Sequence, residues 1–159
     1  MQQSSKPSLN PPEARPPSAQ SVHLGWRLIA IVYDLFPLMA LWFATSVLVY
    51  LAHDRAPVRP YSAGAWIELG LLWAVTGTYL VISWRLGGAT IGMRPWRLKV
   101  LAADGRPAAV RSLWIRYAVA TLSLLAGGLG FVWALFDEER RCWHDMAAGT
   151  RLVRMDRAA

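Results

Sequence analysis

Arg27 stands at the mouth of an apolar run, and Asp34 lies inside it; from Leu28 to Ala52 the chain reads LIAIVYDLFPLMALWFATSVLVYLA. A carboxylate at membrane depth is costly unless it is paired, neutralised or hydrated, so its presence asks for a reason. Seven positions separate Arg27 from Asp34. On a helix that spacing puts them on nearly one face, two turns and roughly 10 Å apart. Direct pairing across that gap is strained; a water or a third residue between them is expected, or a basic partner from another helix such as Arg116. Pro37 follows Asp34 by three positions and removes one helix hydrogen bond, freeing the Tyr33 carbonyl. A carboxylate beside a free carbonyl suits a hard cation or a proton. Two chemistries are therefore open: a structural polar cluster, ranked first, and a cation or proton site on Asp34.

A second candidate lies near the end. Asp145 follows His144, after the acidic run Asp137-Glu138-Glu139 and the basic pair Arg140-Arg141. Without a second ligand at helical spacing, or a nucleophile with an oriented base, neither a metal site nor catalysis is indicated. The expected role of Asp145 is to cap a short helix or to accept from Arg97, Arg111 or Arg116, tying the tail to the middle of the chain. The single Cys142 rules out an internal disulfide and a cysteine-cluster metal site, and reads as a packing thiol. Glu68 is expected near the outer end of a second span, within reach of water, with Thr76 and Tyr79 on its general face as interhelical hydrogen-bond formers.

Three apolar blocks must position these groups: Leu28 to Ala52, Ala63 to Ser83, and Leu113 to Phe136. Each is long enough for a bilayer helix, which takes about 20 residues. Most of Trp26, Trp42, Trp66, Trp84, Trp114 and Trp133 fall near block edges, where indole rings anchor at headgroup level. The chain is 55% hydrophobic and 17% charged, and its formal charge of +7 flanks the apolar blocks. That placement favours anionic lipid headgroups over nucleic acid as the partner. Residues 1–22 contain five prolines and little apolar content, and read as a disordered cytoplasmic tail rather than a signal peptide. Residues 155–159 form a second short tail.

The loops set the orientation. The link from Trp84 to Ser112 carries Arg85, Arg94, Arg97, Lys99, Arg106 and Arg111 against Asp104 alone, and is expected in the cytoplasm. The N-terminus is then cytoplasmic too. A plain third crossing would put a tail with Arg140, Arg141, Arg151, Arg154 and Arg157 outside, against the same rule. Ala-Gly-Gly-Leu-Gly at 126–130 offers a break where the block re-enters instead. Crossing and re-entrant hairpin both stay open. Arg97–Leu101 and Gly149–Arg154 alternate polar with apolar and can pair as a β-ribbon only if they share one face.

Together these residues resemble a known family. Arg27, Asp34 and Asp145 match the arginine and two aspartates that name the RDD family of membrane proteins. Also similar are Gly88-Ala89-Thr90-Ile91-Gly92, Arg97-Leu98-Lys99-Val100, Asp104-Gly105-Arg106, and Arg111 with Arg116. Met93 departs from the lysine common after that glycine, and Cys142-Trp143 replace a Gln-Ala-Leu-like segment. The likeness covers about residues 23–154, one transmembrane domain. It implies a multi-pass protein of the bacterial inner (plasma) membrane without a defined molecular activity. The expected fold is all-α in the membrane: two transmembrane helices, a third apolar segment and a small cytoplasmic β-ribbon element. The expected function is a non-enzymatic assembly or accessory component, without cofactor or metal, joined to itself or to a membrane protein partner. Cation or proton transport through Asp34 is the runner-up.

Overall fold

The computed structural model describes residues 20–155, so the expected disorder of residues 1–19 and the tail beyond Met155 lie outside it. Three stretches pair as strands: β1 (Gln20–Ser21), β2 (Leu98–Ala102) and β3 (Thr150–Arg154). Five are α-helices: α1 (Leu24–Ala52), α2 (Ala63–Gly87), α3 (Val110–Leu125), α4 (Leu129–Val132) and α5 (Trp143–Ala148). Short 3-10 turns cover Arg94–Trp96 and Trp133–Leu135.

Helices α1 and α2 are long and apolar enough to cross a membrane. At 29 and 25 residues they run about 44 and 38 Å, beyond the ~30 Å hydrocarbon core. The surplus of α1 is at its start, Leu24 to Arg27, four residues ahead of the expected span. Phe36, Met39, Phe43, Leu48, Trp66 and Ile67 leave their side chains exposed, as lipid-facing residues do. Ser62 starts α2 by accepting the Ala65 N–H on its hydroxyl at 3.3 Å.

The third block is bent. Helix α3 has 16 residues, about 24 Å, too short to cross alone. Gly127 and Gly128 then take φ of +71° and +80°, and the chain turns through 108° into α4 and the following 3-10 turn. A left-handed pair of that kind is open to glycine at little cost.

The sheet decides where the bent segment leads. It has the order β1-β3-β2. Strands β2 and β3 are antiparallel from Leu98↔Arg154 to Ala102↔Thr150, close to the expected ribbon. The short β1 adds to the other edge of β3, with Gln20 opposite Arg154 and Ser21 opposite Val153. This third strand was not expected, and Gln20–Ser21 fall within the N-terminal segment bounded at Val22, which is itself buried. Chain segments from before α1, between α2 and α3, and after α4 thus meet in one sheet. All lie at one end of the molecule, and the bent segment brings the chain back to the end it left. Of the two routes open to the third block, the bend and the β2–β3 pairing fit the re-entrant one.

The buried core sits at this end, under the sheet. It holds Val22, Ala30, Val81, Met93, Leu98, Val100, Leu113 and Leu152. Trp26, Trp84, Trp96 and Trp114 pack against it, so three of the six expected interface indoles help to fill the cap core.

Candidate functional site

The two aspartates occupy separate sites. Arg27 and Asp34 are both buried on α1, at 6% and 7% exposure, yet they do not share partners. Arg27 reaches the other way, into the cap. Its Nη1 donates to Asp145 Oδ2 at 2.6 Å, and its Nη2 to the Arg140 carbonyl at 3.2 Å. Arg116 Nη1, from α3, donates to Asp145 Oδ1 and to Thr150 Oγ1, the latter at 2.8 Å. The Arg116 guanidinium also lies over the Trp84 ring, 5.5 Å from its centroid.

Asp145 is the hub of this cluster, with 1% of its surface exposed. It stands in the first turn of α5, and its Oδ2 accepts the Cys142 N–H at 3.0 Å, closing that turn as a cap. It therefore performs both local roles expected of it. Of Arg97, Arg111 and Arg116, the last is the partner, and Arg27 is added. Burial pushes the Asp145 carboxyl up, but the Arg116 and Arg27 charges outweigh that and hold it well below the usual carboxylate range. One carboxylate ties α1, α3 and α5 together.

His144 is buried beside it. Its Nε2 is 3.8 Å from Asp145 Oδ1 and its ring lies against Phe131, centroids 5.0 Å apart. Burial, and after it the Arg116 charge, lowers its pKa to about 3, so the imidazole is neutral. Burial raises the Cys142 thiol to about 11. Cys142, His144 and Asp145 bring one ligand atom each within 4.8 Å of one another, a juxtaposition that spacing alone did not indicate. The set does not suit a cation. Its carboxylate already faces two guanidinium groups, which repel a cation.

Asp34 is held by uncharged donors. Thr90 donates its hydroxyl to Oδ2; the Gly92 N–H donates to Oδ1 at 2.8 Å and the Tyr79 hydroxyl to Oδ1 at 3.3 Å. Neither Arg27 nor Arg116 reaches it, so the basic partner expected from one of them is replaced by three neutral ones. The segment between α2 and β2 presses on α1 here. A Cβ at Gly92 would stand 2.6 Å from the Asp34 nitrogen. Only glycine lets the backbone approach that closely. The sequence singled out residues 88–92 as a motif, but their use as donors to Asp34 carries no signal in spacing.

Further along the α1–α2 seam, Trp42 donates to Thr76 Oγ1 at 2.8 Å and Ser46 to Glu68 Oε1 at 2.8 Å. Glu68, half-buried, belongs to this seam and to neither aspartate site. Polar side chains thus recur along α1–α2 from Glu68 to Asp34.

The profile of the RDD family matches residues 22–149, which takes in every element except β1 and β3. The chain belongs to the RDD family. No curated protein and no solved structure matches it. With α1 and α2 apolar enough to span, this RDD protein is a membrane protein. Arg27 and Asp145 form one ion pair, while Asp34 anchors a different contact.

Proposed function

We propose that this RDD protein is a non-enzymatic component of a bacterial plasma membrane that assembles with itself or with another membrane protein. The sheet and the N-terminus face the cytoplasm in this reading, because the Trp84–Ser112 link and the tail carry most of the arginines. Those basic segments meet anionic headgroups. One observation carries the assembly role. Both aspartates are fully engaged within the chain, Asp145 by Arg27 and Arg116 and Asp34 by Thr90, Gly92 and Tyr79. Charges used up in this way fix a shape more readily than they carry a substrate. Long stretches of α1 and α2 stay uncovered, leaving room for a second helix pair.

The test is the mass of the complex in mild detergent, with crosslinking in native membranes. A stable oligomer or a recurring membrane partner supports the reading; a monomer without partners in both settings ends it. A second reading, cation or proton transport through Asp34, draws on the polar seam from Glu68 to Asp34. Proton flux in proteoliposomes driven by Na⁺, K⁺ or Li⁺, present in the wild type and lost in a folded Asp34→Asn protein, would move transport to first place.

A further inference from the structure

Outside both aspartate sites, α2 and α3 leave an apolar groove of about 410 Å³ between them. Thr78, Val81, Ile82 and Arg85 of α2 line it, with Val110 and Trp114 of α3. Arg85 is the one charged residue among them, in the last turn of α2 at the cap end, and it is exposed. Among the described residues it takes part in no ion pair. From Thr78 to Arg85 the groove follows α2 for about 10 Å. One leaflet of the hydrocarbon core is about 15 Å deep, half of ~30 Å.

We propose that this groove is a binding site for an anionic phospholipid, with one acyl chain along α2 and the phosphate on Arg85. The dimensions and the charge favour this occupant. An apolar trough between α2 and α3 takes a chain of methylenes, and its run of about 10 Å along α2 fits within a single leaflet of about 15 Å. An unpaired guanidinium at headgroup level attracts a phosphate oxygen, which it can bind through two N–H donors. A second copy's helix is a poorer occupant, because apolar packing there would bury Arg85 without a counter-charge. Arg111 follows Val110 in the first turn of α3 and is also exposed, so positive charge stands at the mouth from both helices. The site shares with the functional reading above only the cap's orientation toward anionic headgroups, and its test is read separately from assembly.

The experiment is native mass spectrometry of the full chain in detergent, with phosphatidylglycerol and phosphatidylcholine of identical acyl chains added in turn. The wild type should retain phosphatidylglycerol preferentially. Arg85→Gln should lower that preference about fivefold, the worth of one basic residue near anionic lipid. Arg85→Lys should keep most of it. Val110→Trp, which fills the groove from an exposed position, should weaken both lipids alike. Equal retention of the two lipids by the wild type, or an unchanged preference in Arg85→Gln, would overturn the proposal. Loss of an oligomer mass in Val110→Trp with lipid adducts intact would assign the groove to a second copy instead. Assembly can survive or fail without altering the lipid comparison, so the two readings fall independently.

Discussion

Arg27 and Asp145 are 118 positions apart in the chain, and 2.6 Å separates Nη1 from Oδ2. The pair joins the start of the first membrane helix to the last helix before β3. It does so with almost no water, since the side chains are 6% and 0% exposed. A buried ion pair contributes little when compared with a well-packed apolar pair, but breaking it from one side leaves a bare charge.

Replacing Asp145 with asparagine should therefore be among the most damaging single changes in the chain. It strands the Arg27 and Arg116 charges together, and a loss of about 3–5 kcal/mol is expected. Arg27→Met should cost less, because Asp145 still has Arg116. The double variant should be distinctly better than the sum of the two losses. Thermal melting in detergent reads this, and strict additivity would mean the pair is not coupled.

At the other aspartate the prediction concerns backbone approach. A methyl group at Gly92 would collide with the Asp34 backbone and carboxyl carbon, at 2.6 and 2.8 Å. Gly92→Ala should cost about 1–3 kcal/mol by overpacking. Thr90→Val keeps shape but removes one donor, and should cost about 1–3 kcal/mol because a buried acceptor loses its partner. If Gly92→Ala melts like the wild type, the 88–92 segment does not press on α1 as described.

The sequence made the membrane helices and the ribbon partners legible, each for a local reason. Apolar block length gave α1 and α2, and alternation gave β2 and β3. It offered Arg116 as one of three partners for Asp145, but not Arg27, and it did not reveal what holds Asp34. Helical spacing placed Arg27 and Asp34 on one face, but both can rotate about χ angles toward different neighbours, and those neighbours come from distant segments. Asp145 and the 88–92 loop are brought in by the cap fold, which no local pattern encodes. Strand β1 was missed for a similar reason: two residues show no alternation, and they pair only because β3 offers a free edge. The bend at Gly127-Gly128 was visible as glycine. Its direction was not, because the return of the tail depends on the sheet.

His144 should give stability a pH dependence. Its pKa falls from 6.5 in the unfolded chain to about 3 in the folded one. A base that stays neutral when folded contributes full stability above pH 6.5, and loses it as pH falls from there toward 3, where the unfolded chain binds a proton that the native state refuses. The expected slope is at most about 1.4 kcal/mol per pH unit over that window. His144→Phe should flatten the melting profile between pH 6 and about 4, a range in which the depressed Asp145 carboxyl stays ionised. An unchanged slope in that variant would place the titrating group elsewhere.

The hairpin makes a prediction about sides that labelling can settle. Cys142 is fully buried and its thiol is raised to about 11, so in the folded protein it should resist maleimide at neutral pH and leave a silent background. Three exposed positions then report the path of the chain: Arg59 between α1 and α2, Ala103 after β2, and Glu138 beyond α4. With cysteine at each in turn, Ala103→Cys and Glu138→Cys should react with a membrane-impermeant maleimide from the same side. Arg59→Cys should react from the opposite one. A third helix that crossed fully would separate residue 138 from residue 103 by a bilayer, and could not leave β3 paired with β2. Labelling of residues 103 and 138 from opposite faces would therefore contradict the sheet itself, and with it the joining of Arg27 and Arg116 through Asp145.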